Sequence, residues 1–449
     1  MKVEELPQDV LLEIAQWLNV RDLLAFISTC RVIRQLRFQR SFWLEALIRI
    51  REIESQPLPL SNADPLETLS LSELQSVARR ADRLKKNWQS NTPRLVHIHS
   101  FFVPSQARIM LIPGAHLAVA YASGIVSCWD ILSSHRVAHL EIPGLIVRAE
   151  QLCMDINGQV LIGASINGRP RNLVVVCIDF RDRAHISVSH VVSPAVGGGD
   201  LRPSGPFIDR RGMGFIDRTR IVFWCMDPDV AVQTTSQPLK RTFKARCLPL
   251  GQNIYVLGYM RNWNGIVQTI PHPVSNSDRT AIHPASSTAL LGIPVDHRVW
   301  TSMVERGPQV FAPHYGIFAV TSRSFADADS LAWHRTVIHF RPGRTIRDEL
   351  ELGEGCVYEH NQPVSQVAVG TSGTYVALFF ARRPSQDHEN YLGLVHCDVT
   401  ATPVPQATFR MLDVGDVELR SCVRVALDDA LGLVSLVDQE GEVTVLSYV

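Results

Sequence analysis

Three short stretches hold residue types that could do chemistry. His97-x-His99 sets two imidazoles on one face of a strand, where a metal ion could take them. No third ligand stands nearby in sequence, and two half-exposed strand histidines are the plainer reading. His396-Cys397-Asp398 contains the residue types of a nucleophile, a base and a carboxylate. On a strand, however, consecutive side chains point to opposite faces and do not converge. Gly197-Gly198-Gly199-Asp200 lacks the lysine and the following helix that a phosphate loop needs. With Pro194, Pro203 and Pro206 beside it, it reads as a long loop. Without paired carboxylates, a metal set or a nucleophile constellation, the sequence points to no catalysis, no metal and no cofactor.

Composition bounds the function classes further. The chain has 449 residues, too many for one ordinary core, so two or three domains are expected. Lys plus Arg and Asp plus Glu number 44 each, so the formal net charge is zero and nucleic acid is not expected as the main partner. The absence of an apolar run of membrane-spanning length predicts no membrane partner. Lys2, Glu4 and Glu5 open the chain with no apolar stretch after them, unlike a secretory signal. Nine cysteines are scattered without a C-x-x-C pair and mostly inside apolar runs. They read as structural thiols of a reducing compartment, the cytosol or nucleus. Lysine occurs only at 2, 85, 86, 240 and 244. Either arginine replaces it to keep charge without an acceptor amine, or codon usage does the same.

Residues 5 to about 90 carry helical spacing. Val10, Leu11, Ile14, Trp17 and Leu18 repeat on a helix that starts at Pro7, where a missing N–H costs nothing. Asn19 can end that helix and Asp22 can favour the next. Further helices are expected over 31–40, with arginine every third residue from Arg31 to Arg40, and over 41–54, which contains Phe42 and Trp43. Residues 56–65 break helix with three prolines. A last helix is expected over 71–89, opened by the capping box Ser70-x-x-Glu73.

From about residue 94 the period shortens to two. Short apolar or alternating runs punctuated by glycine, proline, asparagine and aspartate predict an all-β domain. About 350 residues is large for a sandwich, and radial repetition of four-stranded blades suits the length. Ala118 to Leu132, with Trp129-Asp130, looks like the inner hairpin of a WD repeat, and the stretches from Ile221 and from Leu433 echo it. A six- to eight-bladed β-propeller is therefore expected. Its last strand, 442–448, should close the ring against residues near Leu95–His99. The stretches 193–212 and 271–297, the latter with His272, His283 and His297, read as long irregular loops.

The N-terminal pattern also resembles a known family. Leu6, Pro7, Val10, Leu11, Ile14, Leu18, Leu23, Leu24, Cys30, Arg34 and Trp43 match the F-box, a helical module that docks on the Skp adaptor of SCF ubiquitin ligases. The resemblance implies an α+β multidomain chain: an F-box domain over 1–50, a linker and connecting helix over 51–93, and a β-propeller over 94–449 that recognises substrate. It implies that Leu6, Pro7, Val10, Leu11, Ile14, Leu18, Leu23, Leu24, Cys30 and Trp43 form the adaptor-binding set. Part of that surface would meet the Skp adaptor while the rest packs the F-box core. Cullin and RING subunits would be reached through Skp, and a protein substrate of unknown identity would sit on the propeller. The chain would then be a non-catalytic adaptor, or else an F-box scaffold acting outside a ligase.

Overall fold

A computed structural model describes residues 6–52, 57–60, 64–105, 107–122, 124–142, 146–154, 158–166, 172–182, 184–193, 203–209, 211–217, 220–226, 233–234, 243–250, 253–259, 264–272, 287–294, 299–304, 315–324, 331–340, 351–353, 357–360, 364–370, 375–380, 390–398 and 406–449. Five α-helices come first: α1 (Gln8–Gln16), α2 (Val20–Thr29), α3 (Arg31–Arg34), α4 (Arg40–Glu52) and α5 (Leu71–Gln89). Pro7 stands at the N-cap of α1. Asn19 caps the start of α2, its side-chain oxygen accepting from the Asp22 N–H at 2.9 Å, instead of merely ending α1. The expected helix over 31–40 breaks after one turn into a 3-10 segment, Gln35–Phe38. There the Arg37 carbonyl accepts from the Trp43 indole at 2.8 Å and the Gln75 amide at 2.7 Å, which anchors the bend. The capping box of α5 forms in both directions between Ser70 and Glu73. These hydrogen bonds hold the exposed Glu73 carboxyl below its ordinary pKa.

The strands group into seven sheets, every pairing between neighbours antiparallel. Six are built from consecutive strands, the first from Arg108–Ile112, Leu117–Ala122, Ile125–Asp130 and His135–Glu141. First strands of neighbouring sheets lie side by side: Cys422–Asp428 touches both Arg108–Ile112 and Val364–Val369, and Pro203–Asp209 touches both Ile146–Met154 and Phe243–Leu250. The first and second sheets share one apolar core through Val119, Val126, Val160 and Val176. The architecture is a β-propeller, with seven sheets among the described residues.

The closing sheet joins the two ends of the domain. His97–Phe102 pairs with Glu442–Ser447, His97 opposite Ser447 and Phe102 opposite Glu442. Val96 N–H donates to Ser447 O at 2.8 Å, and Val103 N–H to Gly441 O at 2.9 Å. Gly441 sits at φ +96°, and a Cβ there would meet the Val103 carbonyl oxygen at 2.2 Å, so glycine is what lets the two ends approach.

Two expected loops contain strands. Pro203–Asp209 runs through the first and Ser287–Pro294 through the second. Pro203 occupies a first-strand position and Pro206 falls in a register shift, the two places where a ladder tolerates proline. Gly197–Asp200, His283 and His297 lie outside the described residues.

Helix α5 belongs to two cores. Its first half, through Leu74, Val77, Ala78 and Ala81, packs with Leu11, Leu23, Phe42, Trp43 and Leu47. Its second half, through Leu84 and Trp88, packs with Tyr375, Leu419, Leu427, Leu436 and Tyr448 of the propeller. The Trp88 ring meets Tyr375 edge-on at 4.5 Å. Asn87 donates to the carbonyls of Arg94 and Tyr448, both at 2.7 Å. Gly432 leaves room for Leu84, whose Cδ1 would stand 2.4 Å from a Cβ at that position. The helix therefore lies against turns that join first to second strands.

Candidate partner-docking site

Helix α1 carries more apolar surface than its own core covers. Leu11 and Ala15 are buried and Leu18 packs on the same cluster. The adjoining row, Pro7, Val10, Ile14 and Trp17, follows the 3-4-3 spacing of a helix edge and remains outside that cluster. Val10 keeps 38% of its surface exposed and Trp17 keeps 76%. A helix that is apolar on both a buried and a neighbouring exposed row presents an unfilled docking edge.

The ten residues singled out from sequence fall into three groups. Leu11, Leu23 and Trp43, at 1% exposure each, sit inside the helical core and hold the helices in place. Leu6, Leu18, Leu24 and Cys30 are half-buried and pack against the rim of that core. Pro7, Val10 and Ile14 stand in the outer row. Sequence reasoning took Trp17 as part of the helix stripe and left Val32 and Phe38 aside, yet all three are exposed apolar side chains of this unit. The signal for Trp17 was its place three residues after Ile14, on the row of Pro7 and Val10.

Charge frames this edge. Arg49 donates to the Trp17 carbonyl at 3.1 Å and lies over its ring at 6.0 Å. Arg37 lies over the Phe38 ring at 4.6 Å. Arg31, Arg34 and Arg37 are exposed, whereas Arg40 ties the segment before α5 by donating to the carbonyls of Leu66, Glu67 and Leu69.

The stretches that looked chemical stay apart. The His97 and His99 rings are 6.5 Å apart, and among the described residues no group of three or more metal-ligating side chains forms. His99 is held below its ordinary pKa by partial burial and then by His97, with Asp130 opposing. His396 lies in the strand Tyr391–Asp398 with its ring 4.9 Å from Tyr375. Burial pushes the Cys128 thiol up to about 12 and the Cys422 thiol up to about 11, away from the thiolate that a nucleophile needs. No helix among the described residues is long and apolar enough to cross a membrane.

Comparison with known proteins fits this geometry. The family model of the F-box domain matches residues 3–36. A search of curated proteins found no match. Solved structures similar to the chain include a crystal structure of Chaetomium thermophilum Raptor, at 9% identity over 95% of this chain and 36% of that chain, with a TM-score of 0.48. A crystal structure of the mitotic checkpoint complex is similar at 9% identity over 80% of this chain and 93% of that one, with a TM-score of 0.40. The Myceliophteria thermophila Cps50 (Swd1) beta-propeller domain is similar at 13% identity over 80% and 99%, with a TM-score of 0.41. The ring of sheets rests on its own strand pairing and does not lean on these scores.

Proposed function

We propose that this chain, an F-box protein with a C-terminal β-propeller, is the substrate-recognition subunit of an SCF-type ubiquitin ligase. The observation that carries the proposal is the row Pro7, Val10, Ile14 and Trp17, exposed except for the half-buried Ile14, beside the helical core. An amphipathic helix of a partner would bury it, as a groove buries a helix, and F-box domains generally bind the Skp adaptor. In this reading residues 1–50 hold Skp and, through it, cullin and RING subunits. Residues 51–93 set the distance, and residues 94–449 hold a protein substrate. The chain itself performs no bond chemistry. It raises the effective concentration of substrate at a ubiquitin-conjugating enzyme supplied by others.

The docking of α5 supports this division of labour. With the helical unit packed on one side of the ring, the proposal assigns the substrate to the rim that carries the Gly441 turn. The test replaces Leu6, Pro7 and Val10 together by polar residues and follows capture of Skp and cullin. Each apolar anchor is expected to contribute on the order of 1–3 kcal/mol. Adaptor binding should disappear while the propeller stays folded. Unchanged capture of Skp defeats the assignment, and capture of Skp without cullin would instead make the chain an F-box scaffold outside a ligase.

A further inference from the structure

Helix α5 has one face that enters neither of its two cores. Ser72, Ser76, Arg79, Arg83 and Lys86 follow one another at steps of four, three, four and three residues, and all five are exposed. The opposite row, Leu74, Ala78, Ala81, Leu84 and Trp88, is the one buried in those cores. The outer row thus begins with hydroxyls and ends in three cations. Arg83 Nε donates to the Arg79 carbonyl at 3.5 Å, which lays its side chain back along the row. Arg80 stands beside the row, half-buried at the junction with the propeller, its Nη2 3.4 Å from His116 Nε2. One turn before Arg79, the Gln75 amide reaches the carbonyl of the exposed Arg37 at 2.7 Å.

Counter-charge is missing from this face. Among the described residues no carboxylate pairs with Arg79, Arg80 or Arg83. Glu73 is engaged by Ser70 in the capping box, and the buried Asp82 pairs with Lys86 at 2.6 Å. Burial, and then the Arg83 charge, holds the Arg80 guanidinium below its ordinary pKa. A cation in the last turn offsets the helix dipole, which accounts for Lys86. Arg79, Arg80 and Arg83 lie more than a turn from that end, beyond the reach of this effect. Like charges four residues apart on a helix, as at 79 and 83, repel each other.

We propose that this strip docks an extended acidic peptide segment of a partner protein, whose carboxylates meet Arg79, Arg80 and Arg83. Charge complementarity selects the occupant, and spacing fits it. A four-residue step along a helix is about 6 Å, and alternate side chains of an extended chain stand about 6.6 Å apart on one face. Guanidinium forks receive carboxylates through paired, charge-assisted hydrogen bonds. A peptide is favoured over nucleic acid because the whole chain is neutral, with 44 charges of each sign, and does not draw in a long polyanion. The surface goes beyond the adaptor reading and does not depend on it, since none of the three arginines belongs to the adaptor-binding set.

Fluorescence anisotropy of a labelled eight-residue peptide of alternating glutamate and serine, titrated with the full chain, tests it. The same peptide with glutamine in place of glutamate and an eight-nucleotide oligothymidylate are the other two probes. Saturable binding of the glutamate peptide is expected, weaker with added sodium chloride, and none of the glutamine peptide. Arg79→Gln and Arg83→Gln should each weaken binding about threefold, and the double variant about tenfold. The double variant should melt no lower than the parent, because both side chains are exposed and a repulsion has been removed. Replacing both arginines by lysine keeps the charge and loses the forks, so its affinity should fall between parent and double glutamine variant. Arg136→Gln, on an exposed outer strand, should bind as the parent does. Tighter binding of the oligothymidylate, no saturable binding of the glutamate peptide, a double variant that binds like the parent, or an equal loss in the Arg136 variant would each overturn the proposal.

Discussion

Replacing Trp17 by alanine separates docking from folding more cleanly than any core substitution would. The side chain keeps 76% of its surface exposed, and its hydrogen bond with Arg49 runs through the backbone carbonyl, which alanine retains. Loss of the ring should therefore change the stability of the free chain by no more than about 0.5 kcal/mol. A partner helix that covers half of an indole removes on the order of 100 Å² of apolar surface from water. At ~25 cal/mol/Å² that burial is worth about 2.5 kcal/mol, or roughly 70-fold in affinity. Titration of purified Skp adaptor onto parent and Trp17→Ala chains, with melting curves of both, measures the two effects separately. Weaker binding at unchanged melting temperature is the expected outcome. Equal affinities would show that the exposed row of α1 is not where the adaptor sits.

Other substitutions probe the parts that hold this edge in place. Deleting residues 442–449 removes the strand between His97–Phe102 and Leu433–Asp438, so urea unfolding should show a collapse of the whole propeller and not a local loss. Trp88→Ala empties a fully buried site shared by α5 and the ring, and should cost about 3–5 kcal/mol in the same assay, with adaptor affinity unchanged in the molecules that stay folded. Asp428 is buried between the closing and first sheets, and burial pushes its carboxyl up to about 7 despite N–H donation from Gly114, Ala430 and Leu431. The folded chain then binds this proton more tightly than the unfolded chain, whose carboxyl titrates near its ordinary value of about 4. Stability from this group should fall as pH rises from about 4 to about 7 and level off above, and Asp428→Asn should flatten that slope in a melting series.

What was legible in the sequence followed from period and punctuation. The change from helical spacing to alternation near residue 94, the capping box at Ser70 and the closing strand at the chain end all survive in the structure because local preference and tertiary demand agree there. The strand signal is weakest where the two part. His135–Glu141 is an outermost strand with mostly exposed residues, so its apolar signal is faint. Pro203–Asp209 contains two prolines and a glycine and is strand only because its neighbours supply the ladder. In the candidate docking site, spacing grouped the apolar residues of α1 on one face but could not divide them. Leu11 and Val10 are sequence neighbours of similar character, and only the packing of α2 and α4 determines which one faces inward.

The core behind that division is completed by α5. A short F-box core alone buries too little to be very stable, and here Leu74, Val77, Ala78 and Ala81 complete it from a helix whose other half is rooted in the propeller. The two cores are also joined without a flexible joint along α5, because nineteen residues run in one helix from Leu71 to Gln89. A protein held on the Gly441 rim would then stand at a fixed distance and angle from one held on α1. For a recruiter this matters as much as affinity, since transfer between two bound partners gains from effective concentration only when their geometry allows both to be engaged at once.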